Sequence, residues 1–185
     1  MFNPDLPTHW FLLMLAKEFI FPVLGPVILA TALFYTRHHF RVTRVASHIS
    51  RFNSSEVMKL RASTDRWLES IEAPTEAGEA PNEAEIRRRI NAFLDSREDH
   101  DRATHTDIRT FCNHFQELGT EHKQGLLAKR FCYEVFDYLV PHYYERLKPY
   151  IEARRTRDSP FLYRKFEMLA ERYAASNQQR EKRAR

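Results

Sequence analysis

Glycine is scarce in this chain, four in 185 residues, and the scarcity excludes a good deal. Sheet-rich folds use glycine at tight turns and bulges, and phosphate-binding loops use it so that the backbone can approach a ligand. Gly25, Gly78, Gly119 and Gly125 are isolated from one another, so neither nucleotide-binding fingerprint can be assembled. Cysteine is scarcer still. Cys112 and Cys132 cannot build a disulfide framework, and both fall on apolar helical faces, which predicts buried, reduced thiols. No segment alternates apolar and polar residues as a half-buried strand does. A dominant charge of one sign is also missing. The 29 basic and 25 acidic residues leave a net +4 and a pI near 9.1. Such a balance predicts helices laced with ion pairs, and acidic residues interrupt every basic stretch, which argues against nucleic acid as a partner.

What is present in quantity is one greasy run, FIFPVLGPVILATALFYT at residues 19–36, without a charge. At 1.5 Å per residue it covers about 27 Å, near the thickness of a bilayer core. As a core helix it would be apolar on every side, with nothing else in the chain greasy enough to surround it. As an export signal it has a small-x-small pattern at Ala30-Thr31-Ala32, but its leading residues MFNPDLPTH carry no lysine or arginine. The basic residues follow the run instead: Arg37, Arg41, Arg44 and Arg51. This order predicts a membrane anchor, with the N-terminus outside and the rest of the chain cytoplasmic. Arg41, Arg44 and Arg51 are expected to touch anionic lipid. Pro22, Gly25 and Pro26 predict a kinked or locally unwound first half. Upstream, WFLLMLA at residues 10–16 either extends the span back to about residue 8 or lies in the interface. Trp10 suits interfacial seating and Lys17 can snorkel to headgroups, whereas Lys17-Glu18 turned inward would read as an ion path.

From residue 38 the pattern is helical throughout. A juxtamembrane and first cytoplasmic region covers 38–72, with Ser54 or Ser55 as a cap and Val57, Leu60, Trp67, Leu68 and Ile71 on one face. APTEAGEAPNEA, residues 73–84, has no large apolar residue and reads as a flexible linker. A bundle is expected over 85–175. Its helices start near Glu83, at Asp107 with Gly119 as terminator, and near 121, this last running to about 139 with Leu127, Phe131, Val135, Tyr138 and Leu139 on its apolar face and Pro141 as terminator. A further helix carries Tyr144, Leu147, Tyr150 and Ile151 inward, with a kink or boundary at Pro149, and a last one opens with Pro160. Residues 176–185 read as a basic, frayed tail. The fold class is therefore all-α: a single N-terminal transmembrane helix followed by a cytoplasmic bundle of about five to seven helices.

Chemistry is thinly represented. Asp99, His100, Asp101, His105 and Asp107 form the densest donor cluster, and Asp101 and His105 have i, i+4 spacing. They read equally as a hydrated polar segment, and neither His-Glu-x-x-His nor Cys-x-x-Cys is present. Cys112 and His114 point to different helical faces, which disfavours a thiol nucleophile. No cofactor is implied. Arginine is the interesting abundance. Arg154, Arg155, Arg157, Arg164 and Lys165 surround a turn and are interleaved with Tyr150, Phe161 and Tyr163. One reading is a turn held by ion pairs to Glu152 and Asp158. The other is a surface for an anion or a protein partner, using planar guanidinium geometry beside aromatics.

The segment YERLKPYIEARRTRDSPFLYRKFEMLAERY, residues 144–173, resembles the C-terminal signature of a bacterial family catalogued as domain of unknown function 4760. RFNSSEVMKLRASTDRWL, residues 51–68, is similar to its N-terminal half, and DIRTFCNHFQEL, residues 107–118, to its middle. The middle departs from the family phrase, which ends in Glu-x-Ile-Ala where this chain has Leu118-Gly119-Thr120. The resemblance covers roughly residues 40–174 and implies one membrane helix followed by a small helical domain. It supplies no catalytic residues. The expectation is a non-enzymatic interaction or regulatory module at the inner membrane, with the bilayer and a protein partner or second copy as its contacts. The alternative is a membrane-acting effector of stress or phage defence that oligomerises through its span. A hydrolase using the Asp99–Asp107 cluster is a third reading.

Overall fold

The computed structural model describes residue 17, residues 21–74 and residues 78–184. Among the described residues the chain is all-α, with seven helices and no strand. They are α1 (Phe21–Phe52), α2 (Ser55–Glu72), α3 (Glu83–Asp95), α4 (Asp99–Gln124), α5 (Lys129–Phe136), α6 (Leu139–Arg157) and α7 (Arg164–Ala184). The chain divides into two compact units, residues 1–41 and residues 42–185.

In the first unit α1 continues through Gly25 and Pro26 without interruption, so the expected unwinding is not seen. Leu24, Val27, Ile28, Leu29, Leu33, Phe34 and Tyr35 are all exposed, Phe34 to 69%. Among the described residues no helix is long and apolar enough to cross a membrane. The uncharged run begins at Phe19, two residues before the described part of α1, and Trp10 also lies outside the described residues. Lys17 is exposed.

The second unit is a closed helical domain. α4 packs against α2 and α7, α6 against α7 and α3, and α2 also meets α3. Its centre is aromatic: Phe115 stacks on Phe166 at 4.7 Å, and Phe111 meets Tyr143 edge-on at 4.9 Å. These rings are essentially without solvent contact, as are Ile108, Leu147, Tyr150 and Ile151. Cys112 and Cys132 are buried, free thiols. Burial pushes Cys112 up to about 12 and Cys132 up to about 11, so neither is ionised near neutrality.

Local signals account for several helix starts. The Ser54 hydroxyl accepts from the Val57 N–H at 3.3 Å, and the Asn82 side chain accepts from the Glu85 N–H at 2.9 Å. Several boundaries differ from expectation. α4 begins at Asp99 rather than Asp107, its polar first turns carrying Asp99 and Asp101 at the positive end of the dipole. Gly119 lies inside α4, and the terminator is Gly125, at φ 71. The helix expected over 121–139 is broken: after Gly125 the chain turns, α5 is one short helix, and Tyr138 is exposed rather than inward. Pro141 lies in the first turn of α6, where a missing N–H costs little, and α6 runs on through Pro149. Pro160 falls in a turn ahead of α7. The expected tail is instead the last part of α7. There Asn177 donates to the Asp137 carbonyl at 2.9 Å, and the Arg180 guanidinium sits 4.4 Å from the centre of the Tyr133 ring.

Candidate functional site

The turn between α6 and α7 brings the sequence-nominated arginines together, and each already has partners. Arg154 bonds Asp158, one turn along its own helix, and reaches the Tyr150 hydroxyl at 3.2 Å and His105. Burial, and then the Arg154 charge, push the His105 pKa below its ordinary value. Neutral His105 can accept from the guanidinium. Arg155 donates to the Leu162 carbonyl at 2.8 Å and forks onto both Glu167 oxygens at 3.2 and 2.9 Å. Glu167 also accepts from the Tyr144 hydroxyl at 2.7 Å, and the Arg155 hydrogen bond holds its carboxyl below the usual range. Arg157 forks onto Asp95 at 2.7 and 3.2 Å and reaches Asn91 at 3.0 Å, pinning α6 to α3.

This geometry favours the turn-clamp reading of the arginines, with one change of partner. Asp158 is used as expected, but Glu152 faces Arg87 at 3.9 Å, and the clamp draws on Glu167 and Asp95 instead. A groove of about 200 Å³ lies beside Arg157, and its charged side chains, Arg87, Glu152 and Arg157, are all engaged in ion pairs. Tyr163 is buried at φ 56, a left-handed conformation that a bulky residue adopts only when its surroundings hold it there. It is part of the turn's framework. Arg164 lies over the Phe161 ring at 5.8 Å on the surface.

Lys165 belongs to a different neighbourhood. Its backbone N–H and that of Phe166 both donate to the Gln116 side-chain oxygen, at 2.9 and 3.1 Å, so a glutamine on α4 caps the start of α7. Its carbonyl lies where a Cβ on Gly119 would be, only 2.3 Å away. Only glycine admits this crossing of α4 and α7. The sequence singles out neither Gln116 nor Lys123, and Gly119 only as a terminator, because a cap from 49 residues away has no local signature.

Arg44 lies 3.5 Å from Glu121, and Arg51 bonds Glu117 at 2.7 Å, so both face α4 carboxylates. Arg37 is exposed. Among the described residues no group of three or more His, Cys, Asp or Glu side chains is placed to hold a metal ion.

An all-α domain with a clamped arginine turn, preceded by a helix that exposes apolar side chains, defines the class of protein. The sequence matches the family described as Domain of unknown function (DUF4760) over residues 20–173, and the chain belongs to that family. The match begins well before residue 40 and takes in the apolar half of α1. No curated protein and no solved structure matches the chain.

Proposed function

We propose that this chain is a membrane-tethered, non-enzymatic helical module that acts by binding, anchored N-terminus out in a bacterial inner membrane, with residues 42–185 cytoplasmic. The proposed span is residues 19–36. The observation that carries the reading is the exposure of every large apolar side chain described between Leu24 and Tyr35, followed directly by Arg37 and Arg41. A soluble surface rarely leaves so continuous an apolar band in water. The two threonine hydroxyls of the span support the same reading. Thr31 donates to the Val27 carbonyl at 2.7 Å and Thr36 to the Ala32 carbonyl at 2.8 Å, so neither needs a partner outside the helix.

Topology is tested by impermeant maleimide labelling of intact cells, which is clean here because both native thiols are buried. Asn3→Cys should label from outside, and Gln178→Cys only after permeabilisation. Release of the chain by alkaline extraction, or the reverse labelling, would refute the anchor. A foreign anchor in place of residues 1–36 should leave a binding module working. Loss of activity on that exchange, with the domain still folded, would favour the membrane-acting effector instead.

A further inference from the structure

Where α4 crosses α7, a groove of about 120 Å³ is lined by Lys123, Lys129, Lys165 and Arg172, with His122 and Met168 in its walls. Four cations and no carboxylate line it. Among the described residues none of the four makes an ion pair with an acid, although arginines elsewhere in the domain repeatedly do. Their concentration is enforced by the fold. The Gly119–Lys165 contact presses the two helices together and sets Lys165 against Lys123. The Lys123 ammonium is close enough to lower the Lys165 pKa. Lys129 opens α5, whose first turn has no acid and whose preceding residue, Ala128, offers no side-chain cap. Behind them His122 is 5% exposed, and burial, with Arg172 and Lys129 adding to it, lowers its pKa to about 4. It adds no positive charge of its own near neutrality.

Like charges gathered without a counter-charge oppose folding, and a bound anion removes that opposition. We propose that this groove binds a phosphate group, with the Lys123 and Lys165 ammoniums as its principal donors and Lys129 and Arg172 completing the cradle. The proposal deepens the reading of the domain as one that acts by binding, and rests on it. A groove of this size suits one phosphate group. The phosphate can belong to a soluble anion or to a lipid headgroup, since the recognising chemistry is the same.

The experiment uses the full chain in a neutral detergent and follows thermal unfolding and titration calorimetry. The probes are inorganic phosphate, pyrophosphate, and short-chain phosphatidylglycerol, with chloride at matched ionic strength and short-chain phosphatidylcholine as controls. Saturable binding that raises the unfolding temperature is expected with a phosphate probe and not with either control. The Lys123→Gln/Lys165→Gln double variant should bind about tenfold more weakly or worse, the scale of losing charge-assisted hydrogen bonds. Arg172→Gln should weaken binding in the same direction and serves if the double variant does not fold. Response to phosphate or pyrophosphate would assign a soluble anion, and response to phosphatidylglycerol alone would assign a lipid headgroup. No response to any phosphate probe, or equal affinity in the variants, would overturn the proposal. Neither of those failures touches the maleimide topology, so the anchor and the groove stand or fall separately.

Discussion

The turn after α6 and the groove beside α7 are both rich in cations, yet they differ in company. Arg154, Arg155 and Arg157 meet Asp158, Glu167 and Asp95, and two of them fork across both carboxylate oxygens. Lys123, Lys129, Lys165 and Arg172 meet no acid among the groove-lining residues. The planar guanidinium is suited to fixed, bidentate pairing, whereas lysine presents a compact, mobile charge. Arginine at the turn therefore belongs to the architecture. The cationic groove is left with charge to offer.

The comparison can be broken most severely at its shared support. Gly119→Ala places a Cβ 2.3 Å from the Lys165 carbonyl, a backbone atom that cannot swing aside. A loss of about 2–3 kcal/mol is expected by analogy with overpacked cores, larger than the gain in helix propensity. Denaturant unfolding of the purified chain measures it. Next in size, Arg155→Gln leaves Glu167 and the Leu162 carbonyl short of a donor in a part-buried setting. That should cost about 1–2 kcal/mol, with Glu167→Gln losing less because its amide still accepts. A double-mutant cycle between the two residues reads the coupling directly.

Acid sharpens the contrast. His122 has a folded pKa near 4, against an ordinary value of 6.5, because of burial first and the Arg172 and Lys129 charges after it. The folded state resists a proton that the unfolded chain accepts. Its contribution is therefore complete above pH 6.5 and is lost as pH falls toward 4. The lowered carboxylates Glu85 and Glu167 add to acid sensitivity at still lower pH. His122→Gln should flatten the stability profile between pH 6.5 and 4, and an unchanged slope there would remove His122 from the account. The smallest effect is that of Lys165→Gln without added anion, which should leave stability unchanged or slightly raised.

The sequence revealed these features unevenly, for physical reasons. The all-α class and most of the core followed from 3.6-residue periodicity, as with Tyr144, Leu147, Tyr150 and Ile151 on α6. Ser54 was legible as a cap because it bonds an amide three residues away. Gln116 was not, because the amides it caps come from another helix. Gly125 takes the terminator role expected of Gly119 for a related reason. A glycine in a helical pattern can be a terminator or a close-approach point, and only the Lys165 carbonyl decides which. The apolar period also reads unbroken across residues 125–128 and so predicts an inward Tyr138, whereas that residue is 68% exposed. At the turn the arginines are visible in the sequence, and two of their three acids, Glu167 and Asp95, are not. Asp158 is local to Arg154, whereas Asp95 lies 62 residues from Arg157. Lys123, Lys129 and Arg172 are scattered over three helices, and only the α4–α7 crossing and α5 bring them to Lys165.

The most direct measurement is the pair of unfolding curves for Arg155→Gln and Lys165→Gln, in phosphate-free buffer at neutral pH, beside the unsubstituted chain. The account predicts opposite behaviour: a clear loss of stability for Arg155→Gln and none for Lys165→Gln. Equal losses would contradict it, because Lys165 would then be as much a part of the architecture as Arg155, and the groove would have no charge to spare for a ligand.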